Sequence, residues 1–482
     1  MKRILLLLIG GGILLTCPKA QENISIPLSY FEALKRLEKS NRSLQIADKA
    51  VETARAEHDR LNALWLPSLQ AAGSYVHLSQ QVEVRQPLAT YTGPAKELVQ
   101  ELLPDDQLIT GLLDQAGGYT LTVPLLPRNL TSVGVTAEWM LFTGGKRIQA
   151  DRIGQRLTEL AREERRQTLS TQQVLLAESY FGLRLAQEVV RVKQETYHSL
   201  EHHYHDALKM EAAGITDKAG RLFAQVNMDE ARREWEAARK EVGVLQHSLL
   251  NLLNLPDSIT LQPTTALFIL PALPPRELLL QTMQTSNPVV NSLHLQQEVA
   301  RRELRMEQSA YLPNVALFGR QTLYAHGLPD HLMPRTVVGV GFTWNLFDGL
   351  AREKRIRQSR LAIQTLTLTR EKTTNDLQVA IDKLYAQLEK AQENVRTLES
   401  SIALSEELLR IRRKSFAEGM ATSTDVVDAE NLLAATRTAK LAACYEFVVA
   451  LCNLQALCGD STLLPPFPVP AESESVILTV NP

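Results

Sequence analysis

Two residue periods alternate along this chain. From Leu28 to about Leu64 the apolar positions recur every three to four residues, as on a helix with one buried stripe. The pattern halts at Pro67, because proline cannot continue a helix. A second helical pattern runs from about Lys146 to Ala213 and a third from Arg352 to about Glu418, neither broken by proline. At ~1.5 Å per residue such a rod spans roughly 100 Å. Rods of that length are expected to lie side by side, burying their stripes in an extended bundle.

Between the helices the period falls to two. Residues 133–141 put Val133, Val135, Ala137, Trp139 and Leu141 on one face, and Gly134, Thr136, Glu138 and Met140 on the other. Residues 338–346 set Val338, Val340, Phe342, Trp344 and Leu346 against Gly339, Gly341, Thr343 and Asn345. Partner strands follow Pro67 and Pro313, so strands are expected over about 67–80, 131–142, 313–325 and 336–347. A half-buried strand of a soluble sandwich alternates in the same way. A length of about ten residues and an apolar face ending in Trp suit a tilted transmembrane strand instead. Trp139, Trp344, Tyr75 and Phe342 are then candidates for an aromatic girdle.

The chain is written twice. LWLPSL at 64–69 returns as AYLPNV at 310–315, and KSNRS at 39–43 as TSNPV at 285–289, both 246 residues on. VGVTAEWMLFTGG at 133–145 returns as VGVGFTWNLFDGL at 338–350, and Gly214 as Gly419, both 205 residues on. A 41-residue insertion between Pro67 and Val133 accounts for the difference. The first repeat is therefore expected over 21–257 and the second over 258–460, each a helix–strand–strand–helix chain. The insertion lies within 79–132, holds Pro87, Pro94, Pro104, Pro124 and Pro127, and reads as an extracellular loop.

Four strands pose a physical problem, since an open sheet edge in lipid leaves N–H and C=O groups unpaired. Known membrane barrels need about eight strands or more. The barrel must then be built from several chains, and a homotrimer would supply twelve strands around an open lumen.

Composition adds the compartment. Lys2 and Arg3 followed by the apolar run Ile4 to Leu15 read as a secretory signal peptide over 1–20, cleaved near Ala20. Cys17 after Leu14-Leu15-Thr16 is a candidate for lipidation. No later segment reads as a helical membrane span, and the net charge of −2 argues against a nucleic-acid partner. Cys444, Cys452 and Cys458 share one apolar helical stretch without a C-x-x-C pair and read as small buried hydrophobes.

The candidate chemistry is sparse. Gly144-Gly145-Lys146 fails as a phosphate loop, because Met140 replaces the early glycine and Arg147 the hydroxyl. Gly144, Gly145 and Gly349 read instead as joints where a strand turns directly into a helix. His198, His202 and His205 share one helical face with His203 beside them, a weak metal candidate against the plain reading of a solvated face. Asp425 and Asp428 stand on adjacent turns, placed either to cap a helix or to line a pore. No Ser-His-Asp set lies on a strand–turn–helix, so neither a catalytic residue nor a cofactor is expected.

At this point the residues resemble the TolC-like outer membrane efflux proteins, over about 25–460. SFAEGMATSTDVVDAENLLAAT at 415–436 is similar to that family's helical tip, with Gly419 followed by Asp425-Val426 and Asp428-Ala429. The L-F-x-G joints and the stops at Leu66-Pro67 and Leu312-Pro313 fit as well. The resemblance implies a mainly α chain with transmembrane β, trimerising into a 12-stranded outer membrane β-barrel continued by a periplasmic α-helical barrel. Its tip would dock a periplasmic adaptor coupled to an inner-membrane transporter. The pore entrance would then involve Asp425, Asp428, Gly419, Phe416, Gly214 and Gly220. The chain departs from the pattern at Gly220, which takes the slot of Asp425, at Phe416, where a tyrosine is frequent, and at Ala421, where some members carry arginine. A heavy-metal duct of the same plan and a secreted coiled-coil scaffold are the alternatives, and residues 461–482 are expected to be a flexible periplasmic tail.

Overall fold

The computed structural model describes residues 24–103, 106–327 and 334–459. The expected signal peptide, Cys17 and the expected tail lie outside them. In chain order the elements begin with β1 (Ile24–Leu28), α1 (Tyr30–Ser40), α2 (Arg42–Asn62), a 3-10 turn (Ala63–Trp65) and β2 (Ser68–His77). The insertion follows as β3 (Val82–Pro87), α3 (Ala89–Leu102), α4 (Gln107–Gly117) and β4 (Thr120–Leu126). Next come β5 (Asn129–Thr143), α5 (Lys146–Ala212), α6 (Lys218–Leu252) and β6 (Ile259–Pro263). The second copy supplies α7 (Arg276–Ser286), α8 (Pro288–Gln308), a 3-10 turn (Ser309–Tyr311), β7 (Asn314–His326), β8 (Thr336–Thr343), α9 (Ala351–Ala417) and α10 (Ser423–Cys458).

Several helices recur at the two sequence offsets with identical bounds. The bounds of α1 and α7, of α2 and α8, and of the two 3-10 turns differ by 246 at both ends, and those of α5 and α9 by 205. Both long helices have 67 residues.

The chain forms two units. The first comprises residues 1–53, 158–297 and 365–482, and its core gathers around Tyr30, Tyr180, Phe181 and Phe268, with β1 and β6 paired in parallel. Tyr180 is fully buried; its hydroxyl donates to the Leu28 carbonyl at 2.7 Å and accepts from the Thr265 N–H at 3.0 Å. That satisfies the one polar atom of an otherwise apolar side chain. Asn41 and Asn287 interrupt the helices at equivalent places. The Asn41 oxygen accepts from the Leu44 N–H at 3.1 Å, and that of Asn287 from Val289 at 2.8 Å and Val290 at 3.1 Å, so each caps the following helix. The helical pattern from Leu28 to Leu64 is therefore two helices, with the break hidden in the Ser-Asn dipeptide.

Helix α10 is long and apolar enough by composition to cross a membrane. Its apolar window is 56% buried within the chain, as a core helix requires. Cys444, Cys452 and Cys458 are buried along it. Burial pushes the Cys444 thiol up to about 11 and the Cys452 thiol up to about 12, which removes their nucleophilic form at neutral pH.

The second unit, residues 54–157 and 298–364, holds an antiparallel sheet ordered β2-β5-β7-β8. Ala137 pairs with Leu69 and Gly319, and Gly319 with Val338, so the alternation continues across the strands. The apolar face bearing Val338, Val340 and Phe342 is open, at 71%, 65% and 75% exposure. On the other face Phe318 lies over Gly339, and a Cβ there would stand 2.8 Å from its ring. Strand β8 ends at Thr343, so Trp344 lies past it, although the alternation continues to residue 346.

Both strand-to-helix joints are built alike. Gly144, Gly145 and Gly349 have φ of +64°, +90° and +69°. A Cβ at Gly144 would meet the Ser309 carbonyl oxygen at 2.6 Å, so only glycine fits. Arg147 donates to the carbonyls of Leu64 and Leu141 at 3.1 and 2.9 Å and stacks on Trp65. Arg352 donates to Ala310, Asn345 and Leu346 and stacks on Tyr311. The indole N–H groups of Trp139 and Trp344 donate to the carbonyls of Trp65 and Tyr311 at 2.9 and 3.1 Å. Trp139 in β5 and Trp344 just past β8 are thus each tied to the preceding 3-10 turn.

The insertion is folded. Strands β3 and β4 form an antiparallel ribbon, with α3 and α4 packed together beyond it.

Candidate functional site

The residues singled out at the tip lie in the turns joining α5 to α6 and α9 to α10, or in the helix ends beside them, within the first unit. Each long helix ends at a left-handed glycine, Gly214 at φ +72° and Gly419 at φ +75°. The Ile215 N–H then reaches back to the Met210 carbonyl at 2.9 Å, and the Met420 N–H to Ser415 at 2.8 Å. These bonds satisfy carbonyls that a helix end leaves free. A Cβ at Gly419 would stand 3.2 Å from Ile215 Cγ2, so the two turns touch.

The return helices are capped differently. In the first copy the Asp217 carboxylate accepts from the Gly220 N–H at 2.8 Å. In the second, the Thr422 hydroxyl accepts from the Asp425 N–H at 3.3 Å, and the Asp425 carboxylate accepts from the Thr422 N–H at 2.9 Å and hydroxyl at 2.7 Å. This is a reciprocal capping box. The acid absent at Gly220 therefore returns three residues earlier, and each helix keeps one carboxylate at its positive end. Bonds from the Thr422 hydroxyl and N–H, aided by Arg412 at 3.3 Å, hold the Asp425 carboxyl below the usual aspartate range. Asp428 is exposed one turn further on.

Phe416 is buried within the chain, packed with Ala207, Ala224, Val426 and Ala429. Its neighbour is a histidine that the sequence pattern had left to one side. His203 is only 6% exposed, its ring meets Phe416 edge-on at 4.7 Å, and Nε2 lies 2.8 Å from the Ser423 hydroxyl. Burial lowers its pKa; Asp206 opposes that shift and Arg413 reinforces it. His203, Phe416 and Ser423 thus tie α5, α9 and α10 together just inside the turns. Beside them a cavity of about 410 Å³ is lined by Ser199, His202, Asp206, Lys209 and Arg413 among others.

His198 is held by Glu201 at 3.3 Å and lies near the Trp235 ring, while His202 and His205 are exposed. Among the described residues no group of three or more His, Cys, Asp or Glu could hold a metal ion.

Charged pairs join the helices above the tip. Buried Glu430 on α10 accepts from Arg413 on α9 and from Ser199 on α5. Arg437 bridges Glu195 at 3.1 Å and Glu406 at 2.8 Å.

Comparison with known proteins agrees with this architecture. Residues 279–460 match the family model described as outer membrane efflux protein. The alkaline protease secretion protein AprF of Pseudomonas aeruginosa is 22% identical over 296 residues, which are 59% of this chain and 61% of AprF. Among solved structures, CusC aligns with a TM-score of 0.70 at 18% identity, over 89% of this chain and 92% of its own. VceC of Vibrio cholerae aligns at 0.69 and 15% identity, over 89% and 96%. The MtrE outer membrane channel of Neisseria gonorrhoeae aligns at 0.65 and 16%, over 89% and 88%. The resemblance to the TolC-like outer membrane efflux proteins is borne out, and the chain has the fold of those channels.

Proposed function

We propose that this chain is one third of a non-enzymatic outer membrane exit duct serving a tripartite efflux or type I secretion system. The observation that carries the reading is the four-stranded sheet. Among the described residues, strands β2 and β8 pair on one side only, while the face of Val338, Val340 and Phe342 is open. A sheet with two free edges and an apolar face is unstable in water and incomplete in lipid. Three copies joined β8 to β2 make a closed barrel of twelve strands. The joints at Gly144 and Gly349 then carry each hairpin into periplasmic helices, and the paired turns form the inner end.

In this arrangement Asp425 and Asp428 stand at the periplasmic entrance, and the turns are the surface offered to a periplasmic adaptor and, through it, an inner-membrane transporter. The likeness to a protease secretion protein and to membrane channels supports a conduit whose cargo is chosen elsewhere. The histidine face lends no support to a metal-handling variant, because His198 is engaged by Glu201.

Mass measurement of the purified protein in a mild detergent tests the reading. A trimer is expected. A stable monomer overturns it, since four strands cannot close.

A further inference from the structure

The two hairpins of the sheet share one register. In the first, β2 pairs with β5 from Ser68↔Glu138 to Tyr75↔Thr131. In the second, β7 pairs with β8 from Asn314↔Thr343 to Gln321↔Thr336. Every pair in that run of the first hairpin has its equivalent in the second, 246 residues on in one strand and 205 in the other. The seam between the hairpins, β5 against β7, therefore has a counterpart that one chain cannot make. It is β8 against the β2 of another copy. Strand lengths show where that counterpart belongs. Strand β5 runs past the start of β2, and its last residues, Trp139 to Thr143, are held by β7 alone. The equivalent residues 344–348 follow β8, which stops at Thr343. Their side chains are correspondingly bare. Trp344, Leu346 and Phe347 are 51%, 71% and 75% exposed, against 41%, 44% and 44% for Trp139, Leu141 and Phe142.

We infer that β8 and the residues after it pair with β2 of a neighbouring copy in the register that β5 takes with β7. Transferred through the two offsets, that register sets Thr343 opposite Ala72 of the next copy, Gly341 opposite Ser74, and Val340 opposite Tyr75. It also extends β8 to Phe347, opposite Leu69. The inference rests on the trimeric duct reading and adds to it the register in which the barrel closes.

The alternation of side chains agrees with this register independently. Within the chain Leu69 pairs with Ala137, Ala137 with Gly319 and Gly319 with Val338, so Leu69 and Tyr75 share the apolar face of Val338 and Val340. Val340 opposite Tyr75 carries that face unbroken across the seam, whereas a slip of one residue would turn it inside out. Charge raises no objection, because residues 68–76 carry none and residues 336–348 carry only Asp348. The contact joins two different edges, and such a head-to-tail contact can close into a ring.

Paired cysteines in the full chain test the register, with each single variant reporting the background from the buried native cysteines. Two strands separate β2 from β8 within a chain, so their backbones stand about 14 Å apart. A disulfide spans at most ~7 Å between Cα atoms, so any cross-link must join copies. Thr343→Cys with Ala72→Cys, and Gly341→Cys with Ser74→Cys, are expected to link most chains into dimers and trimers on oxidation. Thr343→Cys with Ser74→Cys, two residues out of register, is expected to link few. Linking in the displaced pair equal to or above the matched pairs overturns the register, as does its absence from all three in a trimeric protein. In the unaltered chain, amide exchange over residues 344–347 is expected to be slow in the trimer. Exchange there as fast as in an unstructured peptide overturns the extension of β8. A protein that is never trimeric overturns the duct reading itself, whereas a trimer that fails these tests overturns only the register.

Discussion

Asn41 donates its side-chain amide to the carbonyl of Leu252 at 3.1 Å, and Asn287 donates in the same way to Leu457 at 2.7 Å. Each asparagine stands between two helices; its oxygen caps the following helix and its amide closes the end of another, so one side chain satisfies groups on two segments. Both are almost fully buried. Replacing either by alanine is expected to leave buried groups unpaired and to lower stability by about 1–3 kcal/mol. Denaturant unfolding of the purified protein checks this, and the two variants should lose similar amounts.

The joints predict an asymmetric pair. Gly144→Ala forces a left-handed angle on a residue with a Cβ, which costs about 1–2 kcal/mol, and adds a clash with the Ser309 carbonyl. Gly349→Ala carries the angle alone, because no neighbouring atom lies near its Cβ position. Outer membrane yield and melting temperature should therefore fall more for Gly144→Ala. Equal losses would mean that the backbone angle alone governs both joints.

His203 makes tip stability depend on pH. Its folded pKa lies below the ordinary value of 6.5, so the unfolded state binds the proton more readily. The contribution of the buried neutral ring is full above that value and is lost as pH falls through it toward the lower folded pKa. The facing groups act in opposite senses, Asp206 raising the pKa and Arg413 lowering it. Hydrogen-exchange protection factors in residues 203–210 and 415–425, corrected for the intrinsic slowing of amide exchange in acid, should fall below about pH 6.5. In His203→Gln that pH dependence should be absent, and its persistence would assign the effect to another group.

Asp425 has the opposite behaviour. Its carboxyl stays charged to lower pH than a free aspartate, so its capping contribution is present above the ordinary value of 3.8 and is lost as pH falls through the depressed folded pKa. The proposed trimer would set three copies of Asp425 and Asp428 around a wet opening, and its resting pore is then expected to favour cations. Asp425→Asn with Asp428→Asn keeps the hydrogen-bonding oxygens and removes the charge. Reversal potentials in planar bilayers should move toward zero selectivity in the double variant. Unchanged cation preference would leave capping as the sole role of Asp425.

Much of this was legible from pattern alone, for physical reasons. A strand and a helix differ in period, so 133–141 and the proline-free run from Lys146 announce themselves, and duplication lets one copy check the other. The side chains that fasten these elements were harder to see. Arg147 was noticed only as a misfit in a phosphate loop, although Arg352 stands 205 residues on. Arginine binding to carbonyls needs no local pattern, and only comparison of the copies could have revealed it. His203 was overshadowed by His198, His202 and His205, because a helical face can be counted and burial against another helix cannot. The insertion's helices were masked by its prolines; Pro94 sits inside α3. At the tip, the lost acid at Gly220 was visible and its replacement by Asp217 was not, because capping tolerates a carboxylate at either of two positions.

The duplicated helix bounds have an experimental consequence. Two copies of one backbone share a chain, a membrane, a temperature and an unfolded state, so each site carries its own internal control 205 or 246 residues away. Moving a side chain from one copy to the other, such as Gly220→Asp or Asp425→Gly, separates what a position demands from what its surroundings demand. Ordinary mutagenesis compares a variant with its parent. In this molecule the parent position and its drifted twin can be compared within a single polypeptide.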